Sequence, residues 1–178
     1  MIKWKKQKLL DLLPQLEAIR QMSRDPNTKT GAMIIDEDYT VRSQGYNGIP
    51  RGVEETITRR SRHNNEKYYW FEHAERNALY NALRTHTDIR GCHMILSAGP
   101  GICCDCARGI IQSMQKSIIL IDQYRLESTG PWMVHQERSF KMFAEAGVDV
   151  TYIEEIDDTN IGIPAFIGNF GPVQLTPT

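Results

Sequence analysis

The chain has 178 residues, of which 40% are hydrophobic and 24% are charged, and its formal net charge at pH 7 is −1. This near-neutral balance disfavours nucleic acid as a partner, because proteins that bind a phosphate backbone usually carry a basic face. No apolar run approaches the roughly 20 residues needed to cross a bilayer. The basic N-terminus contains Asp11, Pro14 and Glu17 where a signal peptide needs an apolar stretch, so we expect a cytoplasmic protein that acts on a small molecule.

The order of apolar and polar residues predicts an α/β protein. Its elements are expected to be a helix over 3–23, a hairpin of strands over 31–36 and 41–46, a polar loop over 47–72 with a short helix near 54–60, helices over 72–84, 104–115 and 132–146, and strands over 93–97, 117–121 and 148–153. Pro14 should kink or break the first helix. Alternating strands and helices after a hairpin predict one domain over 1–178, a three-layer α/β/α sandwich with a central mixed five-stranded sheet. Residues 161–178 should form an irregular tail.

The four cysteines are concentrated in one short segment. Three of them, Cys103, Cys104 and Cys106, lie within four positions, too close together for disulfide bonds that would stabilise the fold. The fourth, Cys92, precedes a predicted strand. Because we expect no export signal, such clustering indicates metal or redox chemistry. A Cys-x-x-Cys spacing at the start of a helix lets two thiolates bind one ion, and the free N–H groups there favour the thiolate form.

Two more candidate site residues, His73 and Glu75, lie at the start of the preceding helix. His73 can supply a third ligand, and one imidazole with two thiolates suits Zn²⁺. Three protein ligands leave a fourth position for water, whose pKa on zinc falls to about 7. Glu75 can border that position without binding the metal only because it lies at the helix start. The combination resembles the signature of zinc-dependent nucleobase deaminases.

Two features depart from that signature. Ile102 stands where the pattern has a proline directly before the first cysteine, which puts the local loop geometry in question more than metal binding. Cys104 could replace Cys103 as a ligand. However, Cys104 and Cys106 are two positions apart, a poor fit to one ion at a helix start, so we expect Cys103 to be the ligand.

Three further segments carry a family resemblance. They are residues 23–32 (SRDPNTKTGA), 45–52 (GYNGIPRG) and 73–78 (HAERNA). Over about 23–153 the chain resembles the deoxycytidylate deaminases of the cytidine-deaminase-like superfamily. The resemblance implies the fold of that superfamily and hydrolysis of dCMP to dUMP and ammonia, which supplies dUMP for thymidylate synthesis. Some relatives hold a second zinc through loop cysteines, but the loop here contains only His63, so we expect one Zn²⁺ per chain.

The resemblance also implies roles for individual residues. Glu75 would act as the catalytic base and acid, and a free phosphate would need charge-assisted donors. The implied substrate contacts are Asn47 with the sugar, Ala74, Tyr124 beside the base or sugar, and the phosphate partners Arg24, Lys29 and Arg125. The family further implies a homo-oligomer, with a hexamer favoured, and dCTP and dTTP as possible allosteric effectors.

Several alternatives remain open at this stage. The substrate could be dCTP, a 5-modified dCMP or cytidine. Editing of tRNA adenosine shares the zinc motif, but the weak charge and the loop around Asn47 count against it. A non-catalytic zinc module would have Cys92, His93 or Cys104 closing the fourth position. A redox role for Cys103 and Cys106 ranks last, and tightly bound metal in the purified protein would exclude it.

Overall fold

The computed structural model describes residues 4–97, 101–121 and 131–153. Its helices are α1 (Lys6–Gln21), α2 (Ile57–Arg60), α3 (Glu66–Trp70), α4 (Ala74–Arg84), α5 (Cys104–Gln112) and α6 (Pro131–Ala146), with a 3₁₀ turn at His63–Asn65. Its strands are β1 (Gly31–Ile35), β2 (Val41–Tyr46), β3 (His93–Leu96), β4 (Ser117–Ile121) and β5 (Asp149–Ile153). Tyr124, Arg125 and the predicted tail over 161–178 lie outside the described residues.

The strands form one mixed sheet in the order β2-β1-β3-β4-β5. The strand β1 runs antiparallel to both β2 and β3, whereas β3, β4 and β5 are parallel. The predicted hairpin of β1 and β2 is confirmed. Its turn is held by Asp36, whose Oδ1 accepts hydrogen bonds from the backbone N–H groups of Asp38 and Thr40, both at 3.0 Å.

Helices cover both faces of the sheet. Successive residues of a strand point to opposite faces, so each strand contributes side chains to both layers. In β1, Met33 and Ile35 pack in the cluster that includes Leu16 of α1, whereas Ala32 and Ile34 pack in the cluster built from α4, α5 and α6. The predicted three-layer α/β/α arrangement is therefore confirmed. None of the helices in the described ranges is long and apolar enough to cross a membrane.

The first helix and the polar loop differ from expectation. Pro14 lies inside α1, which continues as one helix, so the predicted option of a break there is wrong. Pro14 is exposed while Leu16 and Ile19 are buried against the sheet, and this packing outweighs the lost backbone hydrogen bond. The loop over 47–72 contains the expected short helix, α2, but also the 3₁₀ turn and α3, which periodicity did not predict.

The start of α4 lies directly on β2. A Cβ atom built on Gly45 would be 2.4 Å from the backbone nitrogen of Ala78 and 2.6 Å from the carbonyl oxygen of Ala74, so only glycine permits this approach. Asn77 strengthens the contact by donating from Nδ2 to the carbonyl oxygen of Tyr46 at 2.8 Å. Close backbone packing thus fixes where the first turn of α4 begins.

Candidate active site

Two helix N-termini meet at the predicted metal ligands. His73 is the N-cap residue of α4, Cys103 is the N-cap residue of α5, and Cys106 lies within the first turn of α5. The Nδ1 atom of His73 is 3.4 Å from the Sγ atoms of both Cys103 and Cys106. Ligand atoms of the three residues all lie within 4.8 Å of one another. The structure therefore brings the predicted ligands together.

The start of α5 favours an anionic sulfur. The Sγ atom of Cys103 accepts a hydrogen bond from the backbone N–H of Cys106 at 3.4 Å, at the positive end of the helix. Hydrogen bonds from the Cys106 side chain and from His73 lower the pKa of Cys103 to about 4. The pKa of Cys106 is raised well above its ordinary value by its hydrogen bond to Cys103 and by burial. The two sulfurs therefore share one proton, which a bound cation would displace.

The chemistry of this donor set fits zinc. One imidazole nitrogen and two thiol sulfurs are the donors that a tetrahedral Zn²⁺ site prefers, and three protein ligands leave one position open. Burial lowers the pKa of His73, but its hydrogen bond with Cys103 and the negative charge of Glu75 outweigh burial and raise it overall. His73 therefore lies in a negatively charged surrounding that would also attract a cation.

The alternative metal ligands considered from the sequence, Cys104 and His93, make other contacts. The Sγ atom of Cys104 lies 3.5 Å from the carbonyl oxygen of His135 and 3.9 Å from the Oγ atom of Ser139, away from the three-residue group. His93 is buried at the start of β3, where its Nδ1 atom shares a hydrogen bond of 2.7 Å with the Oγ atom of Ser117. Among the described residues, no additional His or Cys joins the group.

Glu75 lies beside the metal ligands in the first turn of α4. It is only 4% exposed. Burial raises the pKa of its carboxyl group above the ordinary value of 4.5, although the positive charge of His73 opposes the shift. Such a group can hold a proton closer to neutral pH than an exposed glutamate, which suits a catalyst that both accepts and returns a proton.

A network of charged side chains links the two helix starts. The Oε1 atom of Glu72 accepts hydrogen bonds from the backbone N–H of His73 at 2.8 Å and from the Nε atom of Arg76 at 2.6 Å. The Nη1 atom of Arg76 also lies 3.7 Å from the Oδ2 atom of Asp105, at the start of α5. Burial lowers the pKa of Arg76, but the electrostatic interaction with the Cys106 side chain and the hydrogen bond to Glu72 outweigh burial and raise the pKa overall. The sequence offered one signal for this network, the i, i+4 spacing of Glu72 and Arg76.

Trp132 lies beside His73 and contacts two further aromatic side chains. The ring centroid of Trp132, in the first turn of α6, lies 6.3 Å from that of His73, 6.0 Å from that of Tyr68 and 5.8 Å from that of His135. Trp132 is half-buried and Tyr68 is 44% exposed, so both present surface to a ligand. The sequence analysis did not predict this aromatic group, since Tyr68 and Trp132 belong to helices far apart in the chain.

Asn47 is next to a residue that pairs with the segment leading to His73, but its side chain makes most of its hydrogen bonds within the protein. Its neighbour Gly48 pairs with Glu72 through backbone hydrogen bonds of 3.0 and 2.8 Å, directly before His73. The Oδ1 atom of Asn47 accepts from the backbone N–H of Thr30 at 2.8 Å, and both Nδ2 hydrogens are donated within the fold. One acceptor lone pair on Oδ1 remains for a ligand.

The predicted phosphate partners in the described ranges contact protein groups. Arg24 is exposed and forms an ion pair of 3.2 Å with Glu55. The Nζ atom of Lys29 lies 3.1 Å from the Oε1 atom of Gln21 and 3.4 Å from its carbonyl oxygen. These are surface contacts, which a phosphate could displace at small cost.

One cation that the sequence did not single out contacts the segment that holds Asn47. The Nη2 atom of Arg62 donates to the Oγ1 atom of Thr28 at 2.8 Å, and the carbonyl oxygen of Thr28 accepts from Nδ2 of Asn47 at 2.9 Å. Arg62 is exposed, so its charge is available to a ligand. Ala74, another predicted substrate contact, is fully buried in the core, so it presents almost no surface to a substrate in this structure.

Comparison with known proteins agrees with this geometry. The sequence model of the cytidine and deoxycytidylate deaminase zinc-binding region matches residues 5–121, which include the three clustered ligands. The chain belongs to this deaminase family. Human deoxycytidylate deaminase is 38% identical over 109 residues, covering 58% of this chain and 59% of the human protein. The mouse protein of the same name is 36% identical over 109 residues, with the same coverage of 58% and 59%. The alignments thus span less than two thirds of these relatives.

Solved structures of low sequence identity share the deaminase fold. The dCMP deaminase of cyanophage S-TIM5, crystallised with dCMP and dUMP, matches with a TM-score of 0.69 at 19% identity, covering 85% of this chain and all (100%) of that chain. A diaminohydroxyphosphoribosylaminopyrimidine deaminase/5-amino-6-(5-phosphoribosylamino)uracil reductase from Thermotoga maritima matches with a TM-score of 0.55 at 19% identity, covering 83% of this chain and 36% of that chain. The expected cytidine-deaminase-like fold is therefore confirmed.

Proposed function

We propose that this protein hydrolyses dCMP to dUMP and ammonia and so supplies dUMP for thymidylate synthesis. The observation that carries the proposal is the convergence of His73, Cys103 and Cys106 at two helix starts, with the buried carboxyl group of Glu75 beside them. The choice of dCMP rests on the relatives named deoxycytidylate deaminase. Family membership and the imidazole of His73 beside the two sulfurs support hydrolytic deamination over redox chemistry.

The proposed cofactor is one Zn²⁺ ion per chain, held by His73, Cys103 and Cys106. When bound, the ion would supply a water of lowered pKa as the nucleophile and stabilise negative charge on the oxygen that becomes the product carbonyl. The low pKa of Cys103 favours this binding, because one sulfur is already anionic near neutral pH.

Glu75 is the proposed catalytic base and acid. Its carboxylate takes a proton from the attacking water and delivers it to N3 of the cytosine ring. It then passes the second water proton to the exocyclic amine, so the C4–N bond breaks, ammonia leaves and a C4 carbonyl remains. The raised pKa of Glu75 suits both transfers, since a carboxyl group with an ordinary pKa would return the proton less readily.

The remaining residues would bind and orient the nucleotide. Trp132, beside His73, and Tyr68, next to Trp132, offer flat surfaces that fit a pyrimidine ring and help to exclude water. Asn47 is the proposed sugar contact. The proposed phosphate partners are Arg24, Lys29 and Arg125, with Tyr124 beside the base or sugar, and to these we add Arg62. The hexamer, the dCTP and dTTP effectors and the cytoplasmic location stay predictions.

One set of assays tests the proposed function. Purified protein is analysed for zinc, and ammonia release is followed with dCMP, dCTP, deoxycytidine, CMP and a 5-substituted dCMP. We expect one zinc per chain and the highest kcat/KM with dCMP. The Glu75→Gln variant should keep its zinc and lose kcat by about 100- to 10,000-fold. Absence of ammonia from every cytosine substrate would exclude the proposal, and equal loss of zinc and turnover in Glu75→Gln would make Glu75 structural.

A further inference from the structure

A buried ion pair lies behind the proposed sugar contact, and none of the roles described so far uses it. The side chains of Asp25 and Lys67 are 0% and 9% exposed, and the Nζ atom of Lys67 bonds the Oδ2 atom of Asp25. The ammonium group also lies 5.5 Å from the ring centroid of Phe71. Burying two charges costs desolvation energy that their attraction only partly returns, so such a pair is a poor device for stability alone.

Asp25 organises the segment that surrounds Asn47. Its Oδ1 atom accepts a hydrogen bond from the backbone N–H of Asn27 at 2.9 Å, and its Oδ2 atom accepts from the Nδ2 atom of Asn47 at 3.0 Å. An ionised carboxylate can only accept hydrogen bonds, so only the NH₂ side of the Asn47 amide can face it. The carbonyl oxygen of Thr28 and the backbone N–H of Thr30 demand the same orientation.

Lys67 connects this segment to the metal site. Its backbone N–H donates to the carbonyl oxygen of Ser61 at 2.9 Å, and its carbonyl oxygen accepts from the backbone N–H of Phe71 at 3.0 Å. Phe71 is followed by Glu72, which pairs with Gly48. The ion pair therefore ties the segment around Asp25 to the helix α3 that leads directly to His73.

We propose that Asp25 and Lys67 are positioning residues that hold Asn47 as a hydrogen-bond acceptor for a sugar hydroxyl. Both donors of the Asn47 amide are occupied by the described residues, so the hydrogen bond that the side chain can still offer a ligand is one accepted by Oδ1. In a 2′-deoxynucleoside 5′-monophosphate the 3′-hydroxyl is the one free sugar hydroxyl. The inference rests on the proposed function, and it makes the 3′-hydroxyl the group that this buried network recognises.

The test compares dCMP with 2′,3′-dideoxycytidine 5′-monophosphate, which lacks that hydroxyl. The double variant Asp25→Asn/Lys67→Met removes both buried charges together and so leaves no unpaired ion. Lys67→Arg keeps the charge and serves as the conservative rescue. Lys116→Met is the matched control, because it removes a lysine from an exposed ion pair with Glu37. Zinc content, melting temperature and kcat/KM with each nucleotide are measured for all four proteins.

The wild type, Lys67→Arg and Lys116→Met should prefer dCMP over the dideoxynucleotide by about 2- to 10-fold, the range of one net hydrogen bond. In the double variant this ratio should fall toward one while zinc content stays unchanged. A purely structural role would lower both kcat/KM values equally and leave the ratio intact, and this result would overturn the inference.

Two other outcomes are also decisive. A wild type that turns over dCMP without preferring it to the dideoxynucleotide overturns the inference and leaves the proposed function standing. A wild type that deaminates neither nucleotide overturns the proposed function and the inference with it. If the double variant does not fold, Asp25→Asn/Lys67→Gln, which also removes both charges but keeps a polar group at each position, carries the same expectation for the ratio.

Discussion

Replacing Gly45 by alanine should displace the first turn of α4. The added Cβ atom would lie 2.4 Å from the nitrogen of Ala78, 2.6 Å from the oxygen of Ala74 and 2.8 Å from the carbonyl carbon of Asn77. All three atoms belong to the backbone, so no side chain can rotate aside, and the helix must move by roughly 1 Å from the strand. We place the cost at the upper end of overpacking penalties, about 3 kcal/mol.

Gly109→Ala is the matched control for this prediction. There the added Cβ would meet only the Cδ1 atom of Leu79 at 3.3 Å, the end of a flexible side chain, and the Cγ atom of Arg76 at 3.9 Å. Because Gly109 lies inside α5, alanine should also gain up to about 1 kcal/mol of helix propensity.

Urea and thermal unfolding measure both variants. For Gly45→Ala we expect a fall in melting temperature of about 6–12 °C. Zinc affinity should also weaken, since His73 caps the displaced helix. Gly109→Ala should match or exceed the stability of the wild type. A Gly45→Ala protein whose unfolding free energy lies within about 0.5 kcal/mol of the wild type would refute the claim that α4 lies directly against β2.

Three further predictions concern the site. Cys104→Ser should keep one zinc per chain by metal analysis, whereas Cys103→Ser should lose it; the reverse pattern would exchange the two roles. Arg62→Gln should raise KM for dCMP by roughly 5- to 10-fold and leave deoxycytidine unaffected, and an equal effect on both substrates would exclude a phosphate contact. Because folding raises the pKa of Glu75 above 4.5, the ionised form opposes folding, so stability falls as pH rises through and above that value. In chelator-treated protein, Glu75→Gln should therefore melt higher than the wild type at pH 8, and this gain should vanish as the pH approaches 4; a gain that is independent of pH would contradict the shift.

Much of the fold could be predicted because its signals are local. The strand β4 was predicted with the bounds that the structure has, since it is a continuous apolar run between polar residues. The helix α3 was missed because its five residues are fewer than two helical turns, too short for a periodic pattern. Pro14 was overinterpreted for a related reason: a local rule about proline does not include the packing of α1 on the sheet.

The metal ligands could be predicted from spacing, but their surroundings could not. His73, Cys103 and Cys106 belong to short motifs whose geometry follows from helix starts. The contacts of Asn47 depend on which segments the fold brings together, and no pattern in residues 23–32 predicts that Asp25 forms an ion pair with Lys67. Trp132 was likewise assigned only to an amphipathic helix, since its position beside His73 depends on how α6 packs against α5.

The division of the ligands between two helix starts has a consequence for folding. A peptide containing α5 alone carries only two of the three donors, so it cannot form this site in isolation, unlike a zinc knuckle whose ligands lie in one short segment. Metal retention thus reports that α4 and α5 have docked on a completed sheet. Chelation and global unfolding should therefore be thermodynamically coupled, and zinc release can serve as a sensitive reporter of tertiary assembly.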